Sequence, residues 1–157
     1  MLATAHPFRD TLSVYRWDQE DQKNQDIMYQ QRVGARAEYR EQESQRVKDS
    51  ATLARRFGQL KSLTVELTYY DPDRVSKGSE LKYQVNLSGA KSVFRFNCPN
   101  AECVRGDFDL SKELAKAIAA RQTSVSGEKT CKGWRSKTTI QTVRCHNVLR
   151  YKLTLKY

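Results

Sequence analysis

No apolar run in these 157 residues approaches the roughly 20 that a membrane span requires, so no membrane association is expected. The opening stretch MLATAHPFRDTLSVYRW has no basic leader followed by an apolar core, so a secretory signal is not expected and the cytoplasm is. In that compartment thiols stay reduced, and four cysteines point to metal or chemistry before disulfides. Histidine is scarce, with only His6 and His146, far apart in the chain. The sequence contains no G-x-S-x-G, no H-E-x-x-H, no phosphate-binding glycine loop and no H-x-E…P-C-x-x-C of the zinc deaminases. Asp71, Asp73, Asp107 and Asp109 fall in turn-like or helix-leading positions, which favour aspartate for backbone reasons alone. Neither catalysis nor a small-molecule substrate is therefore expected.

Negative charge is missing from one region in particular. Residues 1–60 hold 10 Lys/Arg against 9 Asp/Glu and residues 61–157 hold 18 against 9, but from Lys129 to Tyr157 there are 8 basic residues and no acidic one. A segregated positive surface of this kind is the footprint of a phosphate-backbone binder; its plainer reading is a solvated face that aids solubility.

Proline is absent from 18 to 57 and glycine occurs there once, at Gly34, in a stretch rich in Gln, Glu, Arg and Ala. This predicts a long helical extension over 18–60, weakened near Gly34 and ended at Gly58. Residues 1–17 before it read as an anchor peptide or a short strand. Val47, Ala51, Leu53, Ala54, Phe57 and Leu60 give the extension an apolar face near its end. Earlier apolar residues are sparse, and Val33 and Tyr39 are the candidates there for contact with a partner. From 61 onward the period becomes two. SLTVELTYY and ELKYQVNL predict an antiparallel pair joined by DPDRVSKGS, SVFRFN a third strand, and DLSKELAKAIAAR a helix capped by Ser111. TSVSGEKTC, TTIQTVRC and LRYKLTLKY predict further strands. The expected fold class is α+β: a long N-terminal helix followed by an antiparallel β domain over 61–157 with one helix.

All four cysteines lie in that β-rich part. Cys98 and Cys103 form a C-x4-C knuckle around Pro99 and Asn100, within the spacings of structural zinc sites. Cys131 and Cys145 are placed symmetrically about Thr138 and would face each other across a hairpin turning near SKTTI. Facing cysteines can also form a disulfide, and free thiols can pack as small hydrophobes. Ligand type, spacing and compartment favour one structural Zn2+ held by Cys98, Cys103, Cys131 and Cys145. His146 follows Cys145 directly, and on a regular strand it points to the opposite face. Between Cys98 and Cys145 the arrangement resembles the zinc-ribbon and treble-clef class of small zinc modules, although it has C-x2-C in neither half. That resemblance implies a structural ion and leaves function open.

Two functions fit. The first is binding of nucleic acid, RNA or a ribonucleoprotein surface before duplex DNA, through Lys129, Lys132, Arg135 and Lys137 around Trp134, extended by Arg144, Arg150, Lys152 and Lys156. Trp134 reads equally as a core residue covering the cysteine site. The second is a protein-interaction adaptor that docks on a larger assembly through the polar helix.

Overall fold

Leu63, Val65, Leu67 and Tyr69 are buried and the residues between them are half-exposed, the alternation expected of a strand with one face on a core. A computed structural model, which describes residues 6–136 and 142–157, places them in an α+β fold. The elements in chain order are α1 (His6–Asp49), α2 (Leu53–Arg56), β1 (Ser62–Tyr70), β2 (Lys77–Gln84), β3 (Arg95–Asn97) and β4 (Asp107–Asp109). They are followed by α3 (Ser111–Ala119), β5 (Ser124–Thr130), β6 (Trp134–Ser136), β7 (Thr142–Arg144) and β8 (Val148–Lys156).

One antiparallel sheet in the order β2-β1-β8-β5 carries the core. Leu149, Tyr151, Leu153 and Leu155 of β8 lie on the same buried face as the apolar residues of β1, and Leu114, Ala117 and Ile118 of α3 join them in one core. The opposite face is polar and mixed in sign, with Glu66 between Lys82 and Lys152 across the strands. Two small ribbons, β3-β4 and β6-β7, lie outside the main sheet. No helix among the described residues is long and apolar enough to cross a membrane.

Several sequence expectations change. The stretch read as an anchor or strand belongs, from His6, to the first turns of α1. That 44-residue helix, about 66 Å long at ~1.5 Å per residue, stops at Asp49 rather than running to Gly58. There the Ser50 hydroxyl turns back to the Val47 carbonyl at 2.6 Å, and Thr52 caps the short α2 by accepting from the Arg55 N–H at 3.2 Å. Val47 and Leu53 thus belong to different helices. Ser111 does not cap α3; its hydroxyl accepts from the Phe94 N–H at 2.8 Å, while Asp109 accepts from the Ser111 N–H at 2.9 Å. Asp107 and Asp109 lie in strand β4; Asp109 leads into α3 as expected, whereas Asp107 is not in a turn. Leu81 and Tyr83 of β2 face the same side as Leu67 and Val65 but remain 50% and 39% exposed, because they stand at the sheet edge.

The second half of α1 is fastened to the β3-β4 ribbon. Arg95, its side chain only 6% exposed, reaches Glu43 of α1 at 3.2 Å and Asp107 at 3.0 Å. Tyr39 donates to Asp107 at 3.0 Å, and its phenol is pushed up to about 12, first by burial and then by that hydrogen bond. It therefore remains a donor throughout the neutral range. Arg95→Gln should leave the half-buried Asp107 without its cation and Glu43 with Arg46 alone. The expected loss is about 3 kcal/mol, read in urea as a lower midpoint at unchanged slope. A loss under about 1 kcal/mol would place this pair among the weak surface ion pairs.

Candidate metal centre

The centre is assembled from two loops. In the first, Cys98 leads out of β3 and Cys103 precedes β4; the Cys98 N–H donates to the Gly106 carbonyl at 3.2 Å and the Cys103 N–H to the Asn100 carbonyl at 3.1 Å. The Asn100 side chain closes the turn further by accepting from the Glu102 N–H at 2.9 Å. In the second, Cys131 follows β5 and Cys145 follows β7. The register of this long hairpin is continuous, pairing Thr130 with Val148 below the cysteines and Trp134 with Arg144 above them. In that register Cys131 does not face Cys145. Its N–H donates to the Asn147 carbonyl at 2.8 Å, and the Cys145 N–H donates to the Gly133 carbonyl at 2.9 Å. Val104 and Trp134 exchange backbone hydrogen bonds of 2.8 and 3.0 Å, which join the two loops.

The four sulfurs converge, each within 4.8 Å of the others, and all four residues are buried. The cysteines are free thiols, with Sγ–Sγ separations of 3.7 Å for Cys98–Cys145 and 3.6 Å for Cys103–Cys131. A disulfide needs about 2.05 Å. A tetrahedron with metal–sulfur bonds of about 2.3 Å has edges of about 3.8 Å. These two separations match such an edge, and the four sulfurs together could hold one metal ion.

The surroundings favour negative charge on the sulfurs. The Gly133 N–H points to Cys131 Sγ at 3.4 Å. Two asparagines, each two residues beyond a cysteine, donate crosswise: Asn100 Nδ2 toward Cys145 Sγ and Asn147 Nδ2 toward Cys98 Sγ, both at 3.9 Å. Asn147 is 5% exposed and its Oδ1 has no hydrogen-bond partner among the described residues, so the amide is oriented by its donor end. Without a cation the thiols compete for protons. Cys103 is pushed far up by Cys131, then by Cys145 and Cys98 and by burial. Cys145 is held far down by the thiols of Cys103, Cys131 and Cys98. A divalent cation bound there would remove that competition, because every sulfur could then ionise.

Two glycines leave the room. A Cβ on Gly106 would stand 2.1 Å from Cys103 Sγ and 2.6 Å from Cys131 Sγ, and one on Gly133 would stand 2.4 Å from Cys103 Sγ and 2.6 Å from Gly106 Cα. Neither has a positive φ, so what each position requires is the absence of a side chain.

Compared with protein-family models, curated proteins and solved structures, the chain matches none. The likeness to zinc ribbons therefore rests on the cysteine cluster alone.

His146 is exposed and takes a left-handed φ of 55°, which turns its ring away while Cys145 and Asn147 both point inward. The basic residues named from sequence divide into two groups. Lys129 is paired with Glu113 of α3, and Arg150 with Glu128 while lying 4.4 Å over the Tyr70 ring. Lys152 lies opposite Glu66 and Lys156 opposite Ser62. Lys132 and Arg144 are exposed beside the cysteines, joined by the Arg144 guanidinium donating to the Lys132 carbonyl at 2.9 Å. Arg135 and Trp134 are half-buried in β6. Lys137 lies outside the described residues. Val33 is 46% exposed, and Tyr39 is engaged by Asp107 of its own chain. Sequence reading missed Gly106, Gly133 and Asn147. The available signal was a small residue two or three positions after a cysteine. It also missed Arg105, exposed at φ 58° between Val104 and Gly106.

Proposed function

We propose that this chain is a zinc-stabilised, non-catalytic binding module that contacts RNA, or a ribonucleoprotein surface, through the cations around its cysteine centre. Four thiolates at tetrahedral spacing suit Zn2+ and close its coordination sphere, the arrangement of structural rather than catalytic sites. Free thiols of this kind persist in a reducing compartment such as the cytoplasm. The observation that carries the RNA reading is the division of the basic residues. Arg105, Lys132, Arg135 and Arg144 have no carboxylate partner among the described residues, whereas Lys129 and Arg150 are neutralised by Glu113 and Glu128. The uncompensated cations surround Trp134, whose half-exposed indole offers a stacking face.

Reversing Lys132, Arg135 and Arg144 together to Glu should weaken binding of a labelled single-stranded RNA about 100-fold. It should also reduce the log–log salt slope by about 2. Arg150→Gln should change affinity by less than about threefold, because Glu128 already pairs with that arginine. Unaltered RNA binding by the triple variant would remove this surface from the proposal.

A second reading has its own observation: Ile27, Tyr29 and Val33 of α1 are 55%, 53% and 46% exposed. A protein adaptor using them would bind its partner with little salt dependence and lose it on Ile27→Asp.

A further inference from the structure

Arg32, Arg36 and Arg40 of α1 recur every four residues and so share one face of the helix. All three line a cleft of about 360 Å3 between α1 and the cysteine knuckle. The cleft contains one carboxylate, Glu102, and it pairs with Arg32 at 2.9 Å. Arg36 donates through Nη1 to the Ala101 carbonyl at 2.7 Å, while its buried Nε has no hydrogen-bond partner among the described residues. Arg40 has neither a hydrogen bond nor an ion pair among them. Val33 and Val104 make part of the remaining lining apolar, and Tyr29 adds an aromatic ring that is 53% exposed.

This combination selects a kind of ligand. Two guanidinium groups on one helix face suit bidentate capture of an oxyanion. A buried N–H without an acceptor is costly, and an oxyanion supplies the acceptor. The volume is within the roughly 300–1,000 Å3 of sites for organic ligands, more than a bare inorganic ion needs. An anion that also carries a flat, partly apolar body would use the cations and the tyrosine together. We propose that this cleft binds one nucleotide, with its phosphate on Arg36 and Arg40 and its base against Tyr29. The nucleotide is either a free monophosphate or one unit of an RNA strand. Val104, which lines the cleft, exchanges backbone hydrogen bonds of 2.8 and 3.0 Å with Trp134, so the cleft adjoins the cations around that indole. A strand held at both places follows from the RNA reading above; a free nucleotide requires only the cleft.

The experiment titrates the full chain, purified without chelator, with adenosine monophosphate, adenosine, inorganic phosphate and a short labelled single-stranded RNA. The monophosphate should bind once per chain, at least about tenfold more tightly than adenosine or phosphate alone. Arg40→Gln should weaken it about tenfold and leave the urea midpoint unchanged, because that side chain bonds to nothing else in the fold. Tyr29→Ala should cost about 5–100-fold, the range for losing one stacked base. Arg46→Gln, on the same helix but paired with Glu43 and Asp109, should change binding by less than about threefold. RNA that also loses about tenfold in Arg40→Gln would identify the nucleotide as part of a strand, and RNA indifferent to it would identify the free monophosphate. If neither ligand binds Arg40→Gln more weakly than wild type, the cleft site is overturned. RNA binding that still falls on reversal of Lys132, Arg135 and Arg144 would then leave the RNA reading standing. Monophosphate held through Arg40 by a protein that binds no RNA would keep the cleft site and overturn that reading instead.

Discussion

A strong chelator added to the folded protein is expected to release one equivalent of zinc, expose four reactive thiols and lower the thermal midpoint by about 12–20 °C. That shift corresponds to about 3–5 kcal/mol at roughly 4 °C per kcal/mol. The figure is smaller than the roughly 10–16 kcal/mol of zinc-finger peptides, because this domain has a core the sulfurs do not build. Leu63, Val65, Leu67, Leu153 and Leu155 are each at most 1% exposed beneath α3, and the sheet they line should survive in part. What should loosen is the cysteine knuckle and the β6-β7 ribbon, held to each other by little besides the Val104–Trp134 hydrogen bonds. Cys145→Ser should reproduce the chelated state. Because the ligands must be thiolates, affinity should fall as pH falls and protons compete for the sulfurs. Iron in place of zinc would keep the site and change its ion. Four thiols that react freely in protein purified without chelator would refute the site.

The second large effect is at the glycines. Gly133→Ala should lower metal affinity by at least about 100-fold and stability by about 2–4 kcal/mol, at the upper end for overpacking. The reason is the nature of the obstacles. The added methyl meets Gly106 Cα at 2.6 Å and Gly106 N at 2.7 Å, backbone that can yield only if the two cysteine loops separate. Gly106→Ala should act similarly, since its Cβ would fall 2.1 Å from Cys103 Sγ. The control is Gly34→Ala, with nothing within 4 Å of the new Cβ, where a helix interior should gain about 0.5–1 kcal/mol. Chelator competition and urea unfolding of the three variants decide the matter. Wild-type metal affinity in Gly133→Ala would mean that the loops are further apart than described.

How far the sequence led depended on whether each signal was local. Strands β1 and β8 were legible because both have one face on the core, so alternation in the sequence is alternation in burial. The alternation in β2 was just as clear, yet Leu81 and Tyr83 stay exposed, because period specifies a face and says nothing of what covers it. The cysteine set was legible from residue type and spacing. Its geometry was not: symmetry about Thr138 suggested facing cysteines, and the register instead pairs Cys131 with Asn147 and Cys145 with Gly133. The end of α1 at Asp49 carries no proline or glycine. It is set by tertiary hydrogen bonds, including the Ser92 N–H to the Ala51 carbonyl at 2.7 Å. The second half of the long helix is seated on its own chain because arginines spaced along it meet acids 60 to 70 residues later, a match no local window contains.

Strand β8 lies between β1 and β5 in the sheet and follows both in the chain. A nascent chain therefore has β1 and β5 in hand but nothing to join them until residues 148–156 emerge, and Cys145, the last sulfur, arrives only just before. Before that point the only ladder open to β1 is with β2, a two-stranded hairpin of marginal stability in water. Folding is thus committed late, with most pairings non-local, which predicts slow and all-or-none acquisition of structure. A translation product that stops short of Cys145 would have neither the four-stranded sheet nor a complete set of sulfurs, and would present its unpaired strands to the cell's degradation machinery.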